Sequence, residues 1–131
     1  MVSRGTCFKP GARVYGYVHL ITGWKTHAEY IPVPEAYLAP LPAELDYLQA
    51  VAMPLGLQTA LSVFEDIMPN PGNGRALIIG ATGGIGVYAL QIARRAGYHV
   101  TALTGDAGLG LARDLGADLA LDYQRSDLAS L

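Results

Sequence analysis

Residues 75–97, RALIIGATGGIGVYALQIARRAG, leave this chain few folds to choose from. Ala76–Leu77–Ile78–Ile79 is a short continuous apolar run, suited to a strand buried on both faces of a parallel sheet. It passes directly into Gly80–Ala81–Thr82–Gly83–Gly84–Ile85–Gly86, then into a helical pattern with Val87, Leu90, Ile92 and Ala93 as its apolar positions. Gly97 falls where a helix of that length needs a left-handed cap. A second strand, Tyr98 to Leu103, follows on schedule. A glycine triplet alone marks any turn, but strand, glycine turn, helix and strand in succession form the context of a dinucleotide site. Gly80 and Gly83 would allow the tight turn and the approach of backbone to pyrophosphate, and Gly86 would let the helix lie against its strand. The anion would rest on the N–H groups and positive dipole end of the helix. The competing reading is a βαβ turn without ligand.

Composition narrows the classes further. At 131 residues the chain has room for one domain with a real core and not for two ordinary ones. Its net charge of −2 is not the balance of a protein whose main partner is nucleic acid. One cysteine, Cys7, excludes an intramolecular disulfide and a four-thiol zinc site, and has no role assigned. The N-terminal stretch lacks an apolar core of signal-peptide length, and no apolar run is long enough to span a membrane. The expected compartment is the cytoplasm.

Residues 1–43 read as β-rich and irregular. Phe8–Lys9–Pro10–Gly11 carries the proline and glycine of a type II turn, and Arg13 to Val18 alternates as a strand does. Thr22–Lys25 suggests a hairpin connection to a second strand over His27 to Val33. Pro32, Pro34, Pro40 and Pro42 keep the next segment extended and exclude helix. Composition shifts at Ala43–Glu44. A helical pattern from Leu45 to Met53 (Leu45, Leu48, Ala52) is interrupted by Pro54. A second helix follows, with Leu57, Leu61, Phe64 and Met68 as a core stripe flanked by Ala60 and Ile67. Pro69 to Gly74 is a loop. Beyond the second sheet strand, Leu111, Ala112 and Leu115 mark a short helix closed by Gly116, and Asp118 to Leu121 is a third strand. From Arg75 onward this is βαβαβ, one half of a doubly wound parallel sheet.

The assembled stretches FKPGARVYGY, THAEYIPVP, LPAELDYLQAVAMPLGLQTAL, ALIIGATGGIGVYALQIARRAG and LARDLGADLALDY resemble the zinc-independent medium-chain dehydrogenases/reductases, especially the NADPH:quinone oxidoreductases. The resemblance covers nearly the whole chain and departs at Ala12, where the family usually shows an acidic residue. It implies an α/β fold: a partial GroES-like β region over 1–43, then the first half of a Rossmann domain over 44–131. It also implies an internal segment of a longer protein, whose parent would be a homodimer. The zinc-dependent branch has a cysteine lobe after the GARV-like strand and a ligating cysteine where this chain has Leu55. Neither is present here, and an apolar side chain cannot ligate a metal. The scattered His19, His27 and His99 share no ligand spacing, so no metal is expected.

The resemblance implies cofactor contacts from Gly80, Ala81, Thr82, Gly83, Gly84, Ile85 and Gly86. It brings Thr59 near the nicotinamide, unless that hydroxyl simply bonds back to its own helix. Tyr123 matches a tyrosine that contacts the adenosine phosphate in similar reductases. At the end of the second strand, where an NAD-specific fold carries a carboxylate, Thr104 leaves room for a 2′-phosphate. Asp106 either opposes such a phosphate or caps the following helix. NADPH is the expected cofactor, with NADH possible. Arg94 and Arg95 fall on the solvent side of their helix.

The implied activity is hydride transfer to a quinone or an activated double bond, an enone or enoyl group. Alternatives are an enoyl reductase module of a larger synthase, and a non-catalytic nucleotide-binding, crystallin-like protein. Catalytic residues are not identifiable, since the substrate pocket would be built largely by segments outside this sequence. The 131-residue chain alone is expected to be inactive and to self-associate through strand 76–79, which lies at a sheet edge without strands four to six.

Overall fold

A computed structural model describes residues 8–18, 26–67 and 74–125. The chain divides into two units, Met1–Pro54 and Leu55–Leu131, the division falling beyond the composition shift at Ala43–Glu44. Cys7, His19, the Thr22–Lys25 connection, Met68 and the loop from Pro69 to Asn73 lie outside the described residues.

In the first unit, Ala12 N donates to Lys9 O at 3.0 Å around Pro10 and Gly11, and Gly11 has φ +83 as the third position of a type II turn requires. Strand β1 (Val14–Gly16) pairs antiparallel with β2 (Leu38–Pro40), Val14 facing Pro40. The partner is therefore not the expected strand over His27 to Val33, which forms bends and unpaired chain. Residues 27–30 face solvent, Tyr30 almost completely, only Ile31 and Val33 are half-buried, and Pro32 between them offers no ladder donor. Pro40 is tolerated because a two-stranded ribbon consists of edges. One 3₁₀ turn, Glu35–Tyr37, interrupts the extended proline segment just after Pro34, where helix had been excluded.

Helix α1 (Tyr47–Ala52) starts at a capping box: Asp46 Oδ1 accepts from Gln49 N at 2.7 Å, and Gln49 Oε1 from Asp46 N at 3.0 Å. Arg13 ties it to the ribbon, donating to Leu45 O at 2.6 Å with its guanidinium 4.9 Å from the Tyr47 ring centre. Ala50 is its buried position, whereas Leu48, one of the apolar positions of the helical pattern, is 81% exposed. Six residues make less than two turns, too few for the periodicity to select a face.

In the second unit, helix α2 (Pro54–Ser62) continues into one wide π turn, Val63–Ile67. Its buried line is Gly56, Ala60 and Phe64, while Leu57 and Leu61 of the expected stripe are half-buried. Glycine at 56 is required by contact: a Cβ there would meet the Gly84 carbonyl and the Tyr88 ring.

Strands β3 (Arg75–Ile79), β4 (His99–Thr104) and β5 (Leu119–Asp122) form a parallel sheet in the order β3-β4-β5. Ala76 pairs with Val100 and Ala102 with Ala120, which fixes the face that receives the helices. Helices α3 (Gly86–Arg95) and α4 (Leu109–Asp114) contribute Leu90, Ala93 and Ala112 to that core, with Phe64 and Tyr98 in ring contact at 5.7 Å. Gly97 and Gly116 end the two helices at φ +91 and +104, as their positions lead one to expect. The strand buried almost throughout is β4, not β3. Beside β3 the described residues supply one neighbouring strand, and Leu77 and Ile79 on the opposite face remain 52% and 74% exposed.

Asp118 joins three elements where β5 begins. It accepts from Val100 N at 2.7 Å, pairs with Arg94 at 3.0 Å and has His99 Nδ1 at 3.4 Å. Arg94 therefore has a partner on the solvent side of α3.

Candidate cofactor-binding site

The carboxyl ends of the parallel strands are where an open α/β sheet presents its loops to a ligand. Here β3 ends in Gly80 at φ +73, a left-handed conformation that side chains resist. The turn is fastened to the neighbouring strand: Gly80 N and Ala81 N both donate to Leu103 O, at 2.9 and 3.1 Å. Gly83 N closes back on Gly80 O at 2.9 Å, and Val87 N reaches Gly83 O at 3.1 Å. Ala81 is fully buried under this turn.

The glycines have separate reasons. A Cβ on Gly86 would enter the space of Gly80 O and stand 2.7 Å from Ala81 C, so helix α3 can lie this close to β3 only with glycine there. Gly83 is tight against Gly80 O, 3.2 Å from a hypothetical Cβ. Gly84 opens onto free space, with nothing within 4 Å of a Cβ. Helix α3 begins at Ile85 without a side-chain cap, and among the described residues Gly84 N and Ile85 N have no acceptor. Uncapped N–H groups at the positive end of a helix, beside the open space at Gly84, fit the diphosphate of a dinucleotide.

Thr82 and Thr104 meet at the base of the site, their hydroxyls 2.5 Å apart. Thr104 is only 4% exposed and is roofed by Gly108, where a Cβ would stand 2.5 Å from the Thr104 hydroxyl and 2.7 Å from that of Thr82. The end of β4 is thus small and neutral, and its hydroxyl is already engaged. Further out, Tyr123 N donates to Thr104 O at 3.1 Å, and the exposed Tyr123 ring lies 3.5 Å from the Cβ position of Gly105. Asp106 opens a 3₁₀ turn without capping it, and faces Arg125 instead. Arg125 was not singled out in the sequence; a carboxylate three residues earlier, Asp122, is the local sign that its guanidinium has a holder.

Thr59 stands apart from this cluster in the described contacts. Its exposed hydroxyl donates to Leu55 O at 2.7 Å, the back-bonding expected of a helix threonine. Leu55 is more than half exposed.

No family model matches the chain. Among curated proteins it is 33% identical over 134 residues to the mitochondrial NAD(P)H oxidoreductase RTN4IP1 of Drosophila melanogaster, covering 91% of this chain and 32% of that protein. It is 35% identical over 130 residues to 2-methylene-furan-3-one reductase of Solanum lycopersicum, covering 94% and 33%. The chain spans about a third of the length of these curated relatives. Of solved structures, the quinone oxidoreductase of Coxiella burnetii superposes with a TM-score of 0.87 at 25% identity over 98% of this chain and 41% of that one. The quinone oxidoreductase of Thermus thermophilus, described also as its complex with NADPH, gives 0.64 at 34% identity over 70% and 31%. Glycine turn, parallel sheet and relatives agree: over nearly its whole length the chain is similar to one segment of NAD(P)H and quinone oxidoreductases about three times as long.

Proposed function

We propose that this chain supplies the adenosine- and diphosphate-binding half of an NADPH-dependent oxidoreductase whose acceptor is a quinone or a double bond conjugated to a carbonyl. The carrying observation is the Gly80–Gly86 turn, where Gly84 N and Ile85 N have no acceptor among the described residues and Gly84 borders open space. Relatives named for NAD(P)H, for a methylene-furanone and for quinone support the cofactor and acceptor classes. When bound, NADPH supplies the hydride. The chain's own part is to seat the diphosphate on the start of α3, to keep the end of β4 neutral through Thr104 and Thr82, and to flank the adenosine side with Tyr123.

Leu55 supports zinc-free chemistry, because it offers no donor atom at the position where zinc-dependent members place a cysteine. In this reading residues 1–43 belong to a GroES-like catalytic domain and 44–131 to the cofactor domain. A single cysteine suits a reducing compartment such as the cytoplasm, although relatives carry mitochondrial and chloroplastic names. None of the helices among the described residues is long and apolar enough to cross a membrane.

The test is a steady-state comparison in the full-length parent enzyme. NADPH should reduce a quinone or an enone at a higher kcat/KM than NADH, with no metal added and a chelator present. Loss of turnover on chelation would overturn the zinc-free assignment. A preference for NADH would overturn the cofactor assignment.

A further inference from the structure

The glycine turn explains how a diphosphate is held, but it is indifferent to the 2′ position that separates NADPH from NADH. Thr104, at the end of β4, is too deeply buried and too fully engaged with Thr82 to contact that group itself. Among the described residues, the polar side chains that reach solvent at the carboxyl ends of β4 and β5 are Asp106, Tyr123, Gln124 and Arg125, and Arg125 is the cation among them. Alone, an aspartate just after the second strand is the sign of a fold that binds a free ribose 2′-OH and repels a phosphate. In this chain it is accompanied by a cation.

Arg125 is placed by its own local sequence. Its N–H donates to Asp122 O at 3.1 Å, and Gln124 N donates to Asp122 Oδ1 at 3.0 Å, so residues 122–125 form a turn knotted on one carboxylate. Asp122 is 6% exposed, and its Oδ2 has no hydrogen-bond partner. The charged group nearest that oxygen is Arg125 Nε, at 3.6 Å. The guanidinium then extends outward, and its Nη1 stands 3.9 Å from Asp106 Oδ1. Both side chains of this outer pair are mostly exposed, and an exposed pair at that distance contributes at most about 1 kcal/mol and is screened by salt. A phosphate dianion, by contrast, takes a guanidinium in two parallel charge-assisted bonds. The inner carboxylate holds the arginine in place, and the outer one gives it up at small cost.

We propose that Arg125 is the specificity-determining cation of this site: held by the Asp122 turn, it offsets Asp106 and receives the 2′-phosphate of NADPH. Asp122 is its positioning residue. This inference rests on the nucleotide reading above, and a titration of the full-length parent enzyme with 5′-AMP and with 2′,5′-ADP separates the two. By calorimetry at low ionic strength, the wild type should bind 2′,5′-ADP about tenfold or more tightly than 5′-AMP, the scale of one charge-assisted contact. Arg125→Gln should bring the two affinities within about twofold by weakening 2′,5′-ADP alone, leaving 5′-AMP as in the wild type. Arg125→Lys, which restores the charge without the fork, should recover a several-fold preference.

Equal wild-type affinities, a preference that survives in Arg125→Gln, or a lysine variant as indifferent as the glutamine variant would each overturn the role of Arg125 while leaving the nucleotide site standing. Binding of neither compound by the wild type would overturn the nucleotide site and this inference with it.

Discussion

Gly84 and Gly86 stand close together in one turn, yet only one of them is needed by the fold. A methyl group at Gly86 collides with the backbone of Gly80 and Ala81, which cannot yield as a side chain can. Gly86→Ala should therefore cost about 1–3 kcal/mol of stability, read by denaturant unfolding, even without nucleotide. A loss below about 0.5 kcal/mol would mean that α3 is not seated this close to β3. Asp118 gives a pH-dependent prediction. The Val100 N–H, first of all, holds its carboxyl below the ordinary value of 3.8; burial opposes this, and Arg94 and His99 add to the lowering. A depressed folded value means that the contribution is fully present above the unfolded value and is lost as pH falls through the lower folded one. Stability of the wild type should thus fall more steeply between about pH 4 and pH 2 than that of Asp118→Asn, measured by urea midpoints across that range. Parallel curves would show that the carboxylate is free in solution. At this scale the sequence was legible where local conformation dictates the residue, as at Gly80 and Gly97 with their positive φ. Gly56 was silent, because the carbonyl that demands it belongs to Gly84, far along the chain.

Periodicity works for elements long enough to express it. Helix α3 runs for ten residues, and its anticipated apolar positions Leu90 and Ala93 are indeed fully buried. Leu90→Ala should cost about 2–5 kcal/mol, whereas Leu48→Ala in the six-residue α1 should change stability by less than about 0.5 kcal/mol. Equal effects in thermal or denaturant unfolding would contradict the burial of one and the exposure of the other. In the first unit the strand read over Arg13 to Val18 is present in its middle as β1, whereas the one over His27 to Val33 is not formed. The segment from His27 to Val33 alternates on paper but half-buries only Ile31 and Val33, and three-residue strands such as β1 and β2 carry too little pattern to be paired by sequence. The βαβαβ order was legible because each of its turns is punctuated by a glycine and each strand is apolar.

Across the whole molecule, the chain spans about a third of the length of its curated relatives, and β3 has an open edge among the described residues. Along that edge runs an apolar groove of about 310 Å³, lined by Ala60, Phe64, Leu77, Ile79, Ile85 and Ala89. An exposed strand edge of Leu and Ile without proline is an invitation to pairing. The 131-residue chain on its own should self-associate in light scattering at micromolar concentration, and Leu77→Lys should shift it toward monomer. A monodisperse wild-type monomer with quinone reductase turnover would show that this edge needs no partner. Beneath these details lies one central claim, that the open turn at Gly84 holds a nucleotide diphosphate. It is tested most directly by titrating ADP into wild type and Gly84→Val by calorimetry, with the melting temperature of each recorded. Nothing lies within 4 Å of a Cβ at Gly84, so the variant should melt within a few degrees of wild type. Its side chain would occupy the space of the phosphates, so ADP affinity should fall by about tenfold or more. Equal ADP affinity in a variant that folds as well as wild type would contradict the account.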